Sequence, residues 1–204
     1  MEIYEISVWM AAIIMIAGSL YYCSEIKKNI VSPPPATFIV ASGAFTLSLF
    51  MYSRKPDWSF TANIGLTSAV LSTWIVCVYL TTKLLKEGNF FLSINSWQKF
   101  ALASAFIVFV IWIITDNAFV SYVLLQITAF ISYIPVIQKL WNAKKNSESI
   151  VFWSSLMFSS LVASYAAYER NDTEAWIYIF RAVPSTLLVI ILILRVKRHE
   201  TIYG

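Results

Sequence analysis

Charge is what this chain has least of. Only 13% of its 204 residues are Asp, Glu, Lys or Arg, while 59% are hydrophobic, and soluble domains carry about 25% charged residues. A chain of this length cannot hide so much apolar surface in a single water-soluble core, so water is not its main solvent. Glycine and proline are scarce too, at 5 and 6, and stand mostly at the edges of apolar blocks, without the alternation of a β-barrel. One histidine, His199 in a basic tail, excludes a Ser/His/Asp set or a multi-histidine metal site. The two cysteines, Cys23 and Cys77, lie in or beside apolar blocks, where thiols act as small packing residues. There is no Gly-rich phosphate loop and no carboxylate pair in an apolar block, so neither an enzyme nor a cofactor is expected. The opening MEIYEISVW lacks the basic region and cleavage site of a secretory signal, which makes the first block an uncleaved helix.

What is present is long apolar runs. Seven blocks follow one another: Ile6–Tyr22, Ala36–Tyr52, Ala62–Leu84, Trp97–Ile114, Phe119–Leu140, Val151–Tyr168 and Ala175–Leu194. Each is long enough to cross about 30 Å of hydrocarbon as a helix, so an all-α integral membrane protein is expected. The seventh block holds no lysine, which disfavours a retinal Schiff base. Lys and Arg set the orientation. With the N-terminus outside, inner segments hold Lys27, Lys28, Lys83, Lys86, Lys99, Lys139, Lys144, Lys145, Arg195, Lys197 and Arg198; outer ones hold Arg54, Lys55 and Arg170. Eleven against three points to a cytoplasmic C-terminus, here in a bacterial cytoplasmic membrane, and the net charge of +4 reads as topology rather than nucleic-acid binding.

Blocks one to three and five to seven share a plan. SLYYCSEIKKNIVS lies opposite SYIPVIQKLWNAKKNS, and SRKPDW opposite ERNDTEAW, at a register of 118 residues from Trp58 to Trp176. Four crossings separate the halves, giving them one orientation. The expected units are 1–84, a first three-helix bundle; 85–117, a linker helix and the turn Thr115-Asp116-Asn117; and 118–204, a second bundle with a basic cytoplasmic tail. The segment SYIPVIQKLWNAKKNSESIVFW resembles a degenerate PQ-loop of the SWEET and PQ-loop transporter superfamily. Pro135, Ile137 and Lys139 fit its pattern, while Val136 stands in place of the glutamine and Tyr22-Cys23 in place of Pro-Gln in the first half. The resemblance implies a 3+1+3 arrangement and transport of a small solute. Bacterial nicotinamide riboside transporters share that architecture.

Arg181 lies about five residues, roughly 8 Å, inside the seventh block, where an unpaired arginine costs about 2.5 kcal/mol or more. Two fates are open: a cavity arginine that pairs with an anionic or hydroxyl-rich solute, or one that snorkels outward or pairs with Glu174 or Asp116. The register sets Asn63 opposite it, with Thr67 and Ser185 one turn on. The resemblance implies a pocket asparagine at the level of Asn63, from which Arg181 departs, and an aromatic earlier in each second helix. Tyr165 fits that place, and Leu47 occupies its counterpart. Gln126 and Tyr133 share a face of the fifth block and join the candidate solute site. Pro135 and Pro184 inside helices are candidate hinges. Trp9, Trp58, Trp97, Trp141, Trp153 and Trp176 read as interface-belt residues, and Ser155, Ser159, Ala163 and Ala166 as a close-packing stripe.

These residues lead to a small secondary transporter or facilitator that moves a sugar, vitamin-like or anionic metabolite by alternating access. With no carboxylate inside a block to carry a proton, facilitated diffusion is favoured. The alternative is a seven-helix sensor or scaffold without transport. The partners expected are the lipid bilayer and a small solute, and a homo-oligomer is compatible with either reading.

Overall fold

The computed structural model describes residues 3–56, 58–88, 96–115 and 117–203. Among these residues the chain is all helix: α1 Ile3–Lys27, α2 Pro35–Tyr52, α3 Ile64–Lys86, α4 Ser96–Thr115, α5 Ala118–Ile131, α6 Ile134–Asn142, α7 Ile150–Glu169 and α8 Thr173–Tyr203. Five stretches are long and apolar enough to span a bilayer: Ile3–Lys27, Ile64–Lys86, Ala118–Asn142, Ile150–Glu169 and Thr173–Thr201; Thr37–Tyr52 and Phe106–Thr115 are shorter. The protein is an α-helical membrane protein.

The fifth block is two helices where one was expected. Proline has no N–H to give and clashes with the preceding turn. Pro135 therefore ends α5 and starts α6 within its first turn, with Tyr133 as N-cap residue. Pro184, by contrast, sits inside an uninterrupted α8, so only one of the two expected hinges breaks its helix. The tail expected after Leu194 is also helical, continuing α8 to Tyr203. Arg195 on this extension donates to the carbonyls of Leu140 and Trp141. On the other side Lys83 of α3 donates to Ile26 O at 2.9 Å. In each case a cation satisfies acceptors that a helix C-terminus leaves open.

Loops gather at two ends. At one end Tyr4 donates to Thr61 O, and Lys55 meets Asp172 and Glu174. At the other, Ser32 N donates to Ser147 O, and Asn146 N to Glu200. Between these ends α3 packs against both α1 and α2, and α8 against both α7 and the α5–α6 pair. Across the middle α1 runs along α7, and α2 along α5.

The α1–α7 seam is close because its residues are small. Ser159 donates to Ala11 O at 2.7 Å, and Ala163 and Ala166 are buried beside Val8. A Cβ on Gly18 would lie 1.8 Å from Ser155 Oγ and 2.6 Å from its Cβ. We expect Gly18→Val to destabilise the protein by about 1–3 kcal/mol, the usual cost of overpacking. Thermal unfolding in detergent reads this, and Ser155→Gly in the same chain should restore part of the loss. An unchanged melting temperature would show that the seam is loose.

Candidate functional site

A small cavity of about 30 Å³ lies at the centre, walled by α2, α3, α5, α7 and α8. That volume holds about one or two waters. From α2 come Thr37, Phe38, Ala41 and Phe45, and from α7 Phe152, Trp153, Leu156 and Ser160. Both sets are spaced i, i+1, i+4, i+8, which keeps each on one helix face. The break between α5 and α6 presents Ser132 and Tyr133, and α8 presents Tyr178, Ala182 and Thr186.

Three of the wall rings also surround Arg181. Its guanidinium carbon lies 4.7 Å from the Phe45 ring centre, 4.9 Å from that of Tyr178 and 5.9 Å from that of Tyr133. Its Nε donates to Gln126 Oε1 and its Nη1 to Tyr133 Oη, both at 3.3 Å. Gln126 is held in turn by donating to Ser48 Oγ at 3.0 Å. Nη2 is buried without a hydrogen-bond partner, and Arg181 forms no ion pair among the described residues. The arginine does not pair with Glu174, which takes Lys55 at 2.8 Å instead; Asp116 lies outside the described residues.

The structure thus brings Gln126, Tyr133 and Arg181 together and leaves the other expected site residues apart. Asn63 caps α3, accepting from Leu66 N at 3.2 Å and donating to Tyr122 Oη. Thr67 and Ser185 direct their hydroxyls to backbone, Thr67 to Phe60 O and Asn63 O, Ser185 to Arg181 O. Tyr165 is 38% exposed, because five residues past Ser160 a helix has turned about 140° from the cavity. Leu47 is replaced at the cavity by Phe45, two residues earlier and so nearly opposite on α2. Trp153 is no belt residue: it is 2% exposed.

Two side-chain networks close the molecule above and below. At the Asp172 end, Asn171 with φ 48° ends α7, and Asp172 N-caps α8 by accepting from Ala175 N at 3.0 Å. Its other oxygen accepts from Tyr52 Oη at 2.5 Å, and Lys55 approaches both it and Glu174. At the opposite end Glu148 is 1% exposed. It accepts from Tyr22 Oη at 2.6 Å and Trp153 Nε1 at 3.3 Å, with Lys139 Nζ 3.5 Å from its second oxygen. Lys139 also donates to Ser32 O. Tyr22 stacks on Phe152, with centroids 4.2 Å apart and planes 5° from parallel. Burial pushes the Glu148 carboxyl above its ordinary value, opposed by Lys139 and the donated hydrogen bonds. The sequence hides Glu148 inside a short polar stretch, Ser147-Glu148-Ser149, and its one signal is an acid alone among lysines.

Neither a family model, nor a curated protein, nor a solved structure matches the chain.

Proposed function

We propose that the protein is a small secondary transporter or facilitator that moves a small polar solute through its centre by alternating access. In this reading the seven blocks are seven spans in a 3+1+3 plan, 1–84 and 118–204 being parallel three-helix halves and α4 their linker, with the N-terminus outside. The carrying observation is a small cavity walled by helices of both halves, with two networks that each tie one half to the other. Lys55 and Tyr52 reach across to Asp172 and Glu174 at one end. Tyr22 and Ser32 meet Glu148 and Lys139 at the other. Opening one network while the other holds would expose the cavity to one side at a time.

The repeat supports the halves. In each, the third helix packs against the other two and a cation from it caps the first helix of that half. The 118-residue register superposes Tyr4 on Tyr122, both of which donate to a backbone carbonyl near the same end. It also carries the Gln126–Ser48 pair onto Val8 and Ala166, which share one buried cluster. These features agree with the likeness to the SWEET and PQ-loop superfamily.

A second reading, a sensor or scaffold without transport, draws on the cavity itself, which at about 30 Å³ is small and mostly apolar. Accessibility separates the two. In a chain with Cys23 and Cys77 replaced, Thr37→Cys places a thiol on a cavity wall that is 3% exposed. Alternating access makes this thiol react with a membrane-impermeant reagent from either side of sealed vesicles. Uptake of a solute panel into proteoliposomes should be at least about tenfold above empty vesicles, since carriers turn over on gating timescales. A thiol inert from both sides, with no uptake, would leave the scaffold reading.

A further inference from the structure

The guanidinium beside the cavity is a cation, yet its partners are all neutral. Gln126, Tyr133 and the aromatic faces of Phe45 and Tyr178 supply two hydrogen bonds and ring contacts. Buried Nη2 has no partner at all. Structures seldom leave a charged donor in that condition, because its lost hydration goes uncompensated.

The rest of the cavity argues about what comes. Four of its wall hydroxyls have their protons in use: Ser132 donates to Ala129 O, Ser160 to Leu156 O, Thr73 to Ala69 O and Thr186 to Ala182 O. Beside a positive charge that no carboxylate neutralises, an anionic solute group gains more than a neutral hydroxyl does. A carboxylate needs its donors in one place only, and its apolar remainder matches walls of alanine and aromatic rings. Thr37 Oγ1, on the wall itself, is likewise buried without a partner. Resting on the carrier reading above, we propose that the solute is a small monocarboxylate, its carboxylate held by Arg181 and its short apolar body lying in the central cavity. The volume of about 30 Å³, room for one or two waters, sets the size class, an apolar body of about two carbons.

Propionate and propionamide, nearly equal in shape and different in charge, test this at pH 7. The purified full-length protein is melted in sodium propionate, in sodium chloride at equal ionic strength, in propionamide and in glucose, and the two propionyl compounds are followed in proteoliposome uptake. The proposal expects stabilisation and uptake by propionate alone. Arg181→Gln and Arg181→Lys should each weaken propionate binding by about tenfold or more, since neither restores the planar two-point donor. The exposed Arg170→Gln should leave it unchanged. The wild-type comparison needs no variant and stands even if Arg181→Gln fails to fold. Uptake of propionamide or glucose equal to or above that of propionate would overturn the carboxylate assignment while leaving the carrier standing. Equal melting in propionate and chloride with no uptake of any solute would overturn both.

Discussion

Glu148→Ala should destabilise the protein by about 2–5 kcal/mol, because two buried donors, Tyr22 Oη and Trp153 Nε1, lose the acceptor they share and each such loss costs about 1–3 kcal/mol. The ion pair with Lys139 adds less, since the lysine is 29% exposed and water screens it. Glu148→Gln keeps an acceptor oxygen and should cost about 1 kcal/mol or less. The two variants also separate by pH. Burial raises the folded-state pKa of Glu148 above the ordinary 4.5. The folded protein then holds this proton to higher pH than the unfolded chain does, so the carboxyl's contribution is full below 4.5 and is lost as pH rises through its folded value. Melting from pH 4 to 8 should therefore show the wild type losing stability relative to Glu148→Gln. A difference between the two that stays flat across that range would mean the carboxyl keeps its ordinary titration. In the Thr37→Cys background, Glu148→Ala should also speed labelling from the Glu148 side.

Asp172→Ala should act as strongly at the other end, by about 2–4 kcal/mol. It removes the N-cap of α8, which is worth about 0.5–2 kcal/mol, and leaves the buried Tyr52 hydroxyl unsatisfied. Asp172→Asn retains both acceptors and should recover most of the loss. Labelling of Thr37→Cys should accelerate from the Asp172 side only, the mirror of the Glu148 result. If both variants opened the same side, the two networks would not be separate gates.

The helices were readable because bilayer solvation writes them in composition. Long apolar blocks mark where the helices lie but not where α1 and α8 end, since their polar last turns to Lys27 and Tyr203 carry no hydropathy signal, and Pro135 and Pro184 both stand out in the sequence. Which proline breaks a helix was not readable, because that depends on what the neighbouring turn packs against. Arg181 stands out as a charge inside an apolar block, Gln126 and Tyr133 as polar groups sharing one face of another, and the structure joins all three. Asn63 follows from the register and Tyr165 from the family resemblance, and each fixes a level along a helix while saying little about azimuth: Tyr165 lies off the cavity, 38% exposed. Glu148 escaped because it lies two residues before α7 begins, outside any apolar block. Only the tertiary contact of Tyr22 and Trp153 makes that position an interior one.

The unlike seams between the halves have a mechanical consequence. Where α1 meets α7, the short side chains of Ser155 and Ser159 reach the α1 backbone at Gly18 and Ala11, and Tyr22 stacks rigidly on Phe152 further along the seam. Where α2 meets α5, Gln126 bridges to Ser48 through a flexible amide. A pair of plates joined by one stiff edge and one compliant edge does not part evenly; it opens like a book. On the proposed carrier reading the spine would be α1–α7 and the fore-edge α2–α5, and Arg181, bonded to Gln126, would sit where the pages separate first.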